Sequence, residues 1–325
     1  MKQHVLQLGS LKLSSKAILS PMESVSDVGF RSLCFKLGAS LTWTEMIRGD
    51  ALCRNNKATI DLVDTYDADT LTGIQLLIKS PEGLLSSLNK IDELASMEQY
   101  KHFNNIAAID LNFGCPSPAV IAEGAGPALL KRRKRMADIF DVLVEWKHRS
   151  NLPRLGAVGC KIRLGLNQNE QDKKVYLPII QAANDVGLDY VVVHARHAKQ
   201  RSSDSPTWSA IGEIKSMSKL VPIIGNGNIN SLSDANKMMK QTSCDGVMIA
   251  RAAIRNPGVF TEFVQDKDII AFDVINAQQD YFDTAAKHGT KDKYIDFHRR
   301  NFSRLIATNT IGNEQFTFPR NIHLT

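Results

Sequence analysis

Tyr190-Val-Val-Val-His194, Val221-Pro-Ile-Ile-Gly-Asn226 and Gly246-Val-Met-Ile-Ala250 are short, β-branched or apolar runs set among longer segments of helical period. Continuous apolar runs of this length read as strands buried on both faces, and their alternation with helical segments is the mark of repeated βα units and a parallel sheet. Upstream, the same rhythm gives strands at Ala17 to Ser20, Leu41 to Met46, Leu71 to Leu77, Ile106 to Asn112 and Val158 to Leu164. Helical stretches include Asp27 to Leu37, Glu82 to Ala95, Met136 to Arg149, Gln171 to Val186 and Leu232 to Gln241. Eight such units between Ala17 and about Val264 predict an α/β fold, a (β/α)8 TIM barrel, rather than an open doubly wound sheet.

Polar residues then recur at strand C-terminal ends: Glu45, Gln75, Asn112, Lys161, His194 and Asn226. One of them alone could cap a loop, but in a barrel all these ends open on a single face, where active sites are built. After Asn256-Pro257 the alternation stops, and Ile269 to Ala286 and Asp292 to Ala307 read as two helices. This divides the chain into a barrel over residues 1–264 and a short helical appendix over 265–325, whose tail from Phe316 to Thr325 has no helical period and is expected to be mobile.

The 325 residues suffice for one large core plus that appendix. No apolar run approaches the ~20 residues of a membrane-spanning helix, and the start of the chain lacks a secretory signal, so no membrane partner is expected. The first strand begins too early to leave room for a mitochondrial presequence. These readings place the protein in the cytoplasm or the nucleus. Five cysteines without C-x-x-C spacing suggest reduced thiols, with neither a disulfide framework nor a metal site. A net charge of +6 leans toward polyanionic partners, although many basic enzymes bind none.

Gly225-Asn-Gly-Asn228 and Ala250-Arg251 follow the seventh and eighth strands, the two places where a barrel commonly builds a phosphate site. A G-N-G turn alone can merely end a strand. Paired with an arginine at the next strand end, it reads as a phosphate clamp, since glycine lets backbone N–H groups approach the anion. Lys161 sits inside an apolar strand and needs an anionic or polar partner, which can be a cofactor or a neighbouring strand's carboxylate. His194 ends an apolar run, as a core histidine or as part of the mouth. Asp110-Leu-Asn-Phe-Gly-Cys-Pro116 turns sharply and puts Cys115 on a loop over the mouth, ahead of Glu123-Gly-Ala-Gly126, which reads as a lid hinge. The residues themselves leave Cys115 open between packing and a catalytic role.

Ser20-Pro-Met22, Gln75-Leu-Leu77, Asn112-Phe-Gly-Cys-Pro-Ser117 with Gly124-Ala-Gly-Pro-Ala-Leu-Leu130, Lys161-Ile-Arg-Leu-Gly165, Val193-His-Ala-Arg196, Gly225-Asn-Gly227 and Met248-Ile-Ala-Arg-Ala-Ala253 then occur in order. Together with Asn256-Pro257 this series resembles the tRNA-dihydrouridine synthases, from Lys16 to about Phe263. The resemblance implies FMN as cofactor, NADPH as reductant and tRNA as substrate, with hydride delivered to C6 of a flipped-out uridine. It places Pro21, Met22, Glu23, Gln75, Lys161, His194, Asn226, Gly227, Asn228, Ala250 and Arg251 around FMN. Asn112 faces flavin and uracil, Arg196 holds substrate, and Cys115 protonates C5. The chain departs from the family pattern at Ala250, where glycine usually stands, at Ile78, where glycine is often found, and at Asn228, where aspartate is common.

Two basic clusters are candidate RNA contacts: Lys131, Arg132, Arg133, Lys134 and Arg135 just past the catalytic loop, and Lys291, Lys293, Arg299, Arg300 and Arg304 on the last helix. The first reads equally as a solvated helix start or a nuclear signal. A monomer is expected. The rival functions are an FMN-dependent reductase of a free pyrimidine or small enone, and an RNA-binding protein that has lost activity.

Overall fold

The computed structural model describes residues 6–267 and 272–310. All eight barrel strands form: β3 (Ala17–Leu19), β4 (Thr42–Arg48), β5 (Thr72–Leu77), β6 (Ile106–Phe113), β7 (Ala157–Arg163), β8 (Tyr190–His194), β9 (Ile223–Asn226) and β10 (Gly246–Ile249). They are parallel and neighbour one another in chain order, with β10 returning to pair with β3. Leu19 N donates to Leu41 O at 3.0 Å where β3 meets the segment entering β4, so the sheet closes on itself.

A strand points successive side chains to opposite faces, and this period of two sorts the whole molecule. Ile18, Trp43, Ala108, Tyr190, Val192, Ile224 and Met248 fill the barrel, while Val191, Val193, Cys160, Ile162, Ile109 and Leu111 pack outward beneath the helices. Trp43 fits inside because β5 offers Gly73 opposite it; a Cβ there would stand 2.3 Å from the indole. An N-terminal hairpin, β1 (Leu6–Leu8) with β2 (Leu11–Leu13), adds Leu6, Leu8 and Leu13 to the same inner cluster. Its strands, three residues each, are too short for sequence pattern to reveal.

One expected helix, Gln171 to Val186, is in fact two, Gln168–Asp172 and Leu177–Val186. Proline is tolerated only in a helix's first turn, so Pro178 starts the second helix, and Lys174, at φ 51°, ends the first segment. The helix expected from Met136 begins three residues earlier, at Arg133.

The appendix consists of helices Val274–Lys287 and Asp292–Thr310; the start expected at Ile269 and the tail from Phe316 lie outside the described residues. It packs on the first barrel helix, Val28–Lys36. Tyr281 and Phe302 join the barrel's outer core, the His298 ring stacks on Phe30 at 4.5 Å, and His298 Nε2 lies 3.1 Å from Asp27 Oδ2. The Tyr294 hydroxyl donates to the buried Glu45 carboxylate at the mouth of the barrel. Among the described residues no helix is long and apolar enough to cross a membrane, and no cluster of His, Cys, Asp or Glu is placed to hold a metal.

Candidate active site

The inward parity that fills the barrel also lifts Lys161, Arg163, His194 and Asn226 to its C-terminal mouth, where β6 to β9 run in register: Asn112 opposite Lys161, Arg163 opposite His194, His194 opposite Asn226. Beside them opens a cleft lined also by Pro21, Met22, Arg196, Gly227, Asn228, Ala250 and Arg251. Its lining holds Lys161, Arg163, Arg196 and Arg251 but no carboxylate, and none of the four makes an ion pair among the described residues. Burial and the neighbouring Arg163 push the Lys161 ammonium down to about 8. Burial and Arg196 pull Arg163 down to about 10. Burying unpaired charge is costly, so such a cleft is built for an anion.

At the β9 and β10 ends the main chain is shaped for close approach. Gly227 has φ 130°, a region side chains rarely adopt, and Asn228 has φ 56°, which asparagine tolerates. Asn228 Oδ1 accepts from Arg196 Nη2 at 2.9 Å and from Arg251 Nη2 at 3.0 Å, so one amide orients two guanidiniums. Ala250 has φ −121°, outside the left-handed region that favours glycine. Arg196 is 1% exposed, and its Nε and Nη2 also donate to the carbonyls of Asp204 and Ser202. It therefore braces the cleft wall. Burial, then the charges of Arg163, Lys161, Arg196 and Arg251, hold His194 well below its usual pKa. Arg196 Nη1 lies 3.2 Å from the neutral ring's Nε2; a guanidinium can only donate, so Nε2 accepts and the ring proton sits on Nδ1.

Gln75 lies outside the cleft, in a buried chain beneath its floor. Gln75 Nε2 donates to Asp110 Oδ2 at 2.6 Å, Asn112 Nδ2 donates to Gln75 Oε1 at 2.7 Å, and the Tyr190 hydroxyl donates to Asp110 Oδ1 at 3.2 Å. Asn112 Oδ1 accepts from Gly114 N and Cys115 N, which fixes the turn after β6. Burial raises the Asp110 carboxyl to about 7, against the pull of Gln75 and Lys161. Glu23 is exposed and outside the cleft lining.

Pro116 borders the cleft, whereas Cys115 packs into an apolar niche of Leu77, Val120, Ala125 and Met46. Burial raises the thiol's pKa, so it stays protonated. The expected hinge is held in place: Glu123 Oε2 lies 2.6 Å from Arg48 Nη2 and 2.5 Å from Lys79 Nζ.

Lys131 to Arg135 are all exposed, around and in the first turn of helix Arg133–Arg149. Lys131 approaches Glu170 at 3.9 Å and Lys134 pairs with Asp138 at 3.3 Å. Lys291, just before the last helix, pairs with Asp61; on the helix Arg299 pairs with Asp296, Lys293 lies over the Tyr294 ring, and Arg300 and Arg304 are exposed. Sequence reasoning missed Arg163, Asp110 and Tyr190 as site residues. Parity could have found them, because Arg163 shares the face of Lys161, Asp110 that of Asn112, and Tyr190 that of His194.

Eight parallel strands closed on themselves, with a cationic cleft over the ends of β3 and β7 to β10, define the chain as a (β/α)8 barrel. The dihydrouridine synthase family matches residues 18–315, and the chain belongs to that family. It is 33% identical over 254 residues to a probable tRNA-dihydrouridine synthase of Aquifex aeolicus, covering 78% of this chain and 74% of that one. It is 32% identical to a probable tRNA-dihydrouridine synthase of Mycobacterium tuberculosis, where the match covers 79% of this chain and 64% of the relative. The tRNA-dihydrouridine synthase B of Xanthomonas axonopodis pv. citri is 30% identical, with 79% and 71% covered. Among solved structures, 6-hydroxypseudooxynicotine amine oxidase from Pseudomonas geniculata N1 aligns with TM-score 0.58 at 10% identity, over 80% of this chain and 48% of that one. Histamine dehydrogenase from Rhizobium sp. 4-9 aligns with TM-score 0.57 at 11% identity, over 86% and 50%. These two share the fold.

Proposed function

We propose that the protein is a tRNA-dihydrouridine synthase that binds FMN, takes electrons from NADPH and reduces a uridine of tRNA. The observation that carries this reading is the cleft with four unpaired cations and no carboxylate, which fits a phosphorylated, anionic cofactor. Arg251, Asn228 and the Gly227 backbone would hold the phosphate, and Lys161 would stand against the ring system, where an ammonium stabilises negative charge. Bound FMN, reduced by NADPH, supplies the hydride for C6 of the uracil.

The chain supplies the rest. Asn112, opposite Lys161 on the neighbouring strand, has its amide oriented by Gln75 and by the N–H groups of Gly114 and Cys115. Cys115 keeps its proton because its niche is apolar, which suits a donor to C5, and its loop would have to shift for it to reach the cleft. Arg163 stands two residues beyond Lys161 on the same face and adds positive charge where the substrate enters. A base in folded tRNA must be splayed out to reach such a mouth, and Lys131 to Arg135 with Arg300 and Arg304 offer charge for the surrounding phosphates.

The test is to purify the protein, read its flavin spectrum, and supply NADPH with either unmodified tRNA or free uracil. Dihydrouridine in the tRNA and none from uracil supports the proposal. Reduction of uracil instead makes it a small-molecule reductase, and a colourless protein that binds tRNA without reducing it makes it an RNA-binding protein.

A further inference from the structure

The loop carrying Cys115 is fastened in two layers by the same two strand ends. Met46 of β4 and Leu77 of β5 pack on Cys115. Two residues further on, Arg48 and Lys79 both reach one carboxylate, that of Glu123 beyond the short helix Pro118–Ala122. Arg48 binds it with both terminal nitrogens, at 2.6 and 3.3 Å. The pair of cations holds the Glu123 carboxyl down to about 2.

All three groups are partly exposed on the mouth face, with Arg48 35%, Lys79 44% and Glu123 34% accessible. Exposed ion pairs of this kind contribute little net stability and are readily exchanged. The rim beside them is basic. Ser80, Pro81 and Glu82, next to Lys79, line one groove with Arg132, Arg133, Lys134 and Arg135. Helix Arg133–Arg149 starts there with no side-chain cap and no acid in its first turn. Cations at a helix N-terminus oppose the macrodipole, which favours an outside anion along this rim.

We propose that Arg48 and Lys79 form a phosphodiester-binding site which Glu123 occupies in the free protein, and that an RNA phosphate displaces Glu123 and thereby frees the Cys115 loop. This rests on the proposed RNA substrate. A phosphate offers the two cations the same oxygen geometry as the carboxylate, and brings further charge to Arg132 through Arg135. Release of Glu123 removes the outer layer, leaving the Cys115 side chain in its niche of Met46, Leu77, Val120 and Ala125, with its backbone N–H still on Asn112. The proton donor is then mobilised where a polyanion has docked, and sheltered otherwise.

Two measurements on the full-length protein test this. First, iodoacetamide labelling of Cys115 without RNA, followed by peptide mass mapping to separate it from the half-buried Cys53, is expected to run roughly 2- to 5-fold faster in Glu123→Gln and in Arg48→Ala/Lys79→Ala than in wild type, the range of an exposed ion pair. Asp138→Asn, a rim carboxylate away from the loop, should leave that rate unchanged. Second, with unmodified tRNA, Arg48→Ala/Lys79→Ala should weaken binding and flatten the slope of log K against log salt by about 1–2, while Glu123→Gln binds more tightly with its slope kept. Unaltered Cys115 labelling in Glu123→Gln, or an unaltered salt slope in Arg48→Ala/Lys79→Ala, overturns the proposal. The labelling needs neither flavin nor RNA, so a wild-type protein that makes no dihydrouridine refutes the proposed activity separately.

Discussion

The two halves of the barrel mouth are built differently. From β6 through β10 the strands run in unbroken register, and Asn228 ties Arg196 to Arg251 so that the cationic wall is set in advance. From β4 to β6 the register shifts twice, between Trp43 and Met46 and between Thr72 and Gly73, and the loop above is fastened by a half-exposed ion cluster and four apolar contacts. Irregular pairing re-aims side chains, and here it turns Glu45 toward Tyr294 and Met46 toward Cys115. One half is fixed by regular pairing, and the other is held by contacts that exchange more readily.

Separating the two halves by mutation should give effects of descending size. Cys115→Ala should retain FMN and accept electrons from NADPH at near the wild-type rate, while dihydrouridine formation slows by ~10²–10⁴-fold, the usual contribution of a general acid. Stopped-flow flavin reduction alongside product analysis checks this, and equal losses in both would erase the division. Arg251→Ala attacks the fixed half and should weaken FMN by ~2–5 kcal/mol, since it leaves a desolvated anion without its partner. Gel filtration at low protein concentration would show free flavin, and full retention would mean the phosphate lies elsewhere.

Gly73→Ala probes the barrel beneath both halves. Its Cβ would enter the Trp43 ring, so a loss of ~1–3 kcal/mol in urea unfolding is expected, with the flavin site intact in the protein that remains folded. A further effect concerns pH. Asp110 is raised to about 7 when folded, against ~3.9 unfolded, so between these values the unfolded chain has lost a proton that the folded chain keeps. Its contribution is therefore full below pH ~4 and is lost as pH rises through 7, at up to ~1.4 kcal/mol per pH unit. Asp110→Asn should show a shallower decline in apoprotein stability over that range, and an identical pH profile would place the charge of Asp110 on some other partner.

The eight strands and the cationic wall were legible because both follow from local pattern. Buried β-branched runs announce themselves, and a period of two carries Lys161, His194 and Asn226 to one face. The remainder depends on distant partners. Nothing local says that Arg196 would turn to Asp204 and Asn228, that Gln75 would sit beneath the cleft on Asp110, or that Glu123 would meet Arg48 and Lys79. The hairpin β1–β2 escaped because its strands are three residues each and owe their order to the barrel they close.

The pairing of β10 with β3 has a consequence for how the chain comes into being on the ribosome. Leu19 finds its partner Ile249 only after nearly the whole barrel has been made, which at ~5–20 residues per second leaves the first strand waiting for on the order of ten seconds or more. For that time β3 has an open edge of the sort that invites pairing with other chains. Nascent protein should therefore depend on chaperone shelter until β10 emerges, and a stop codon placed just before Gly246 should yield an aggregating product rather than a smaller soluble one.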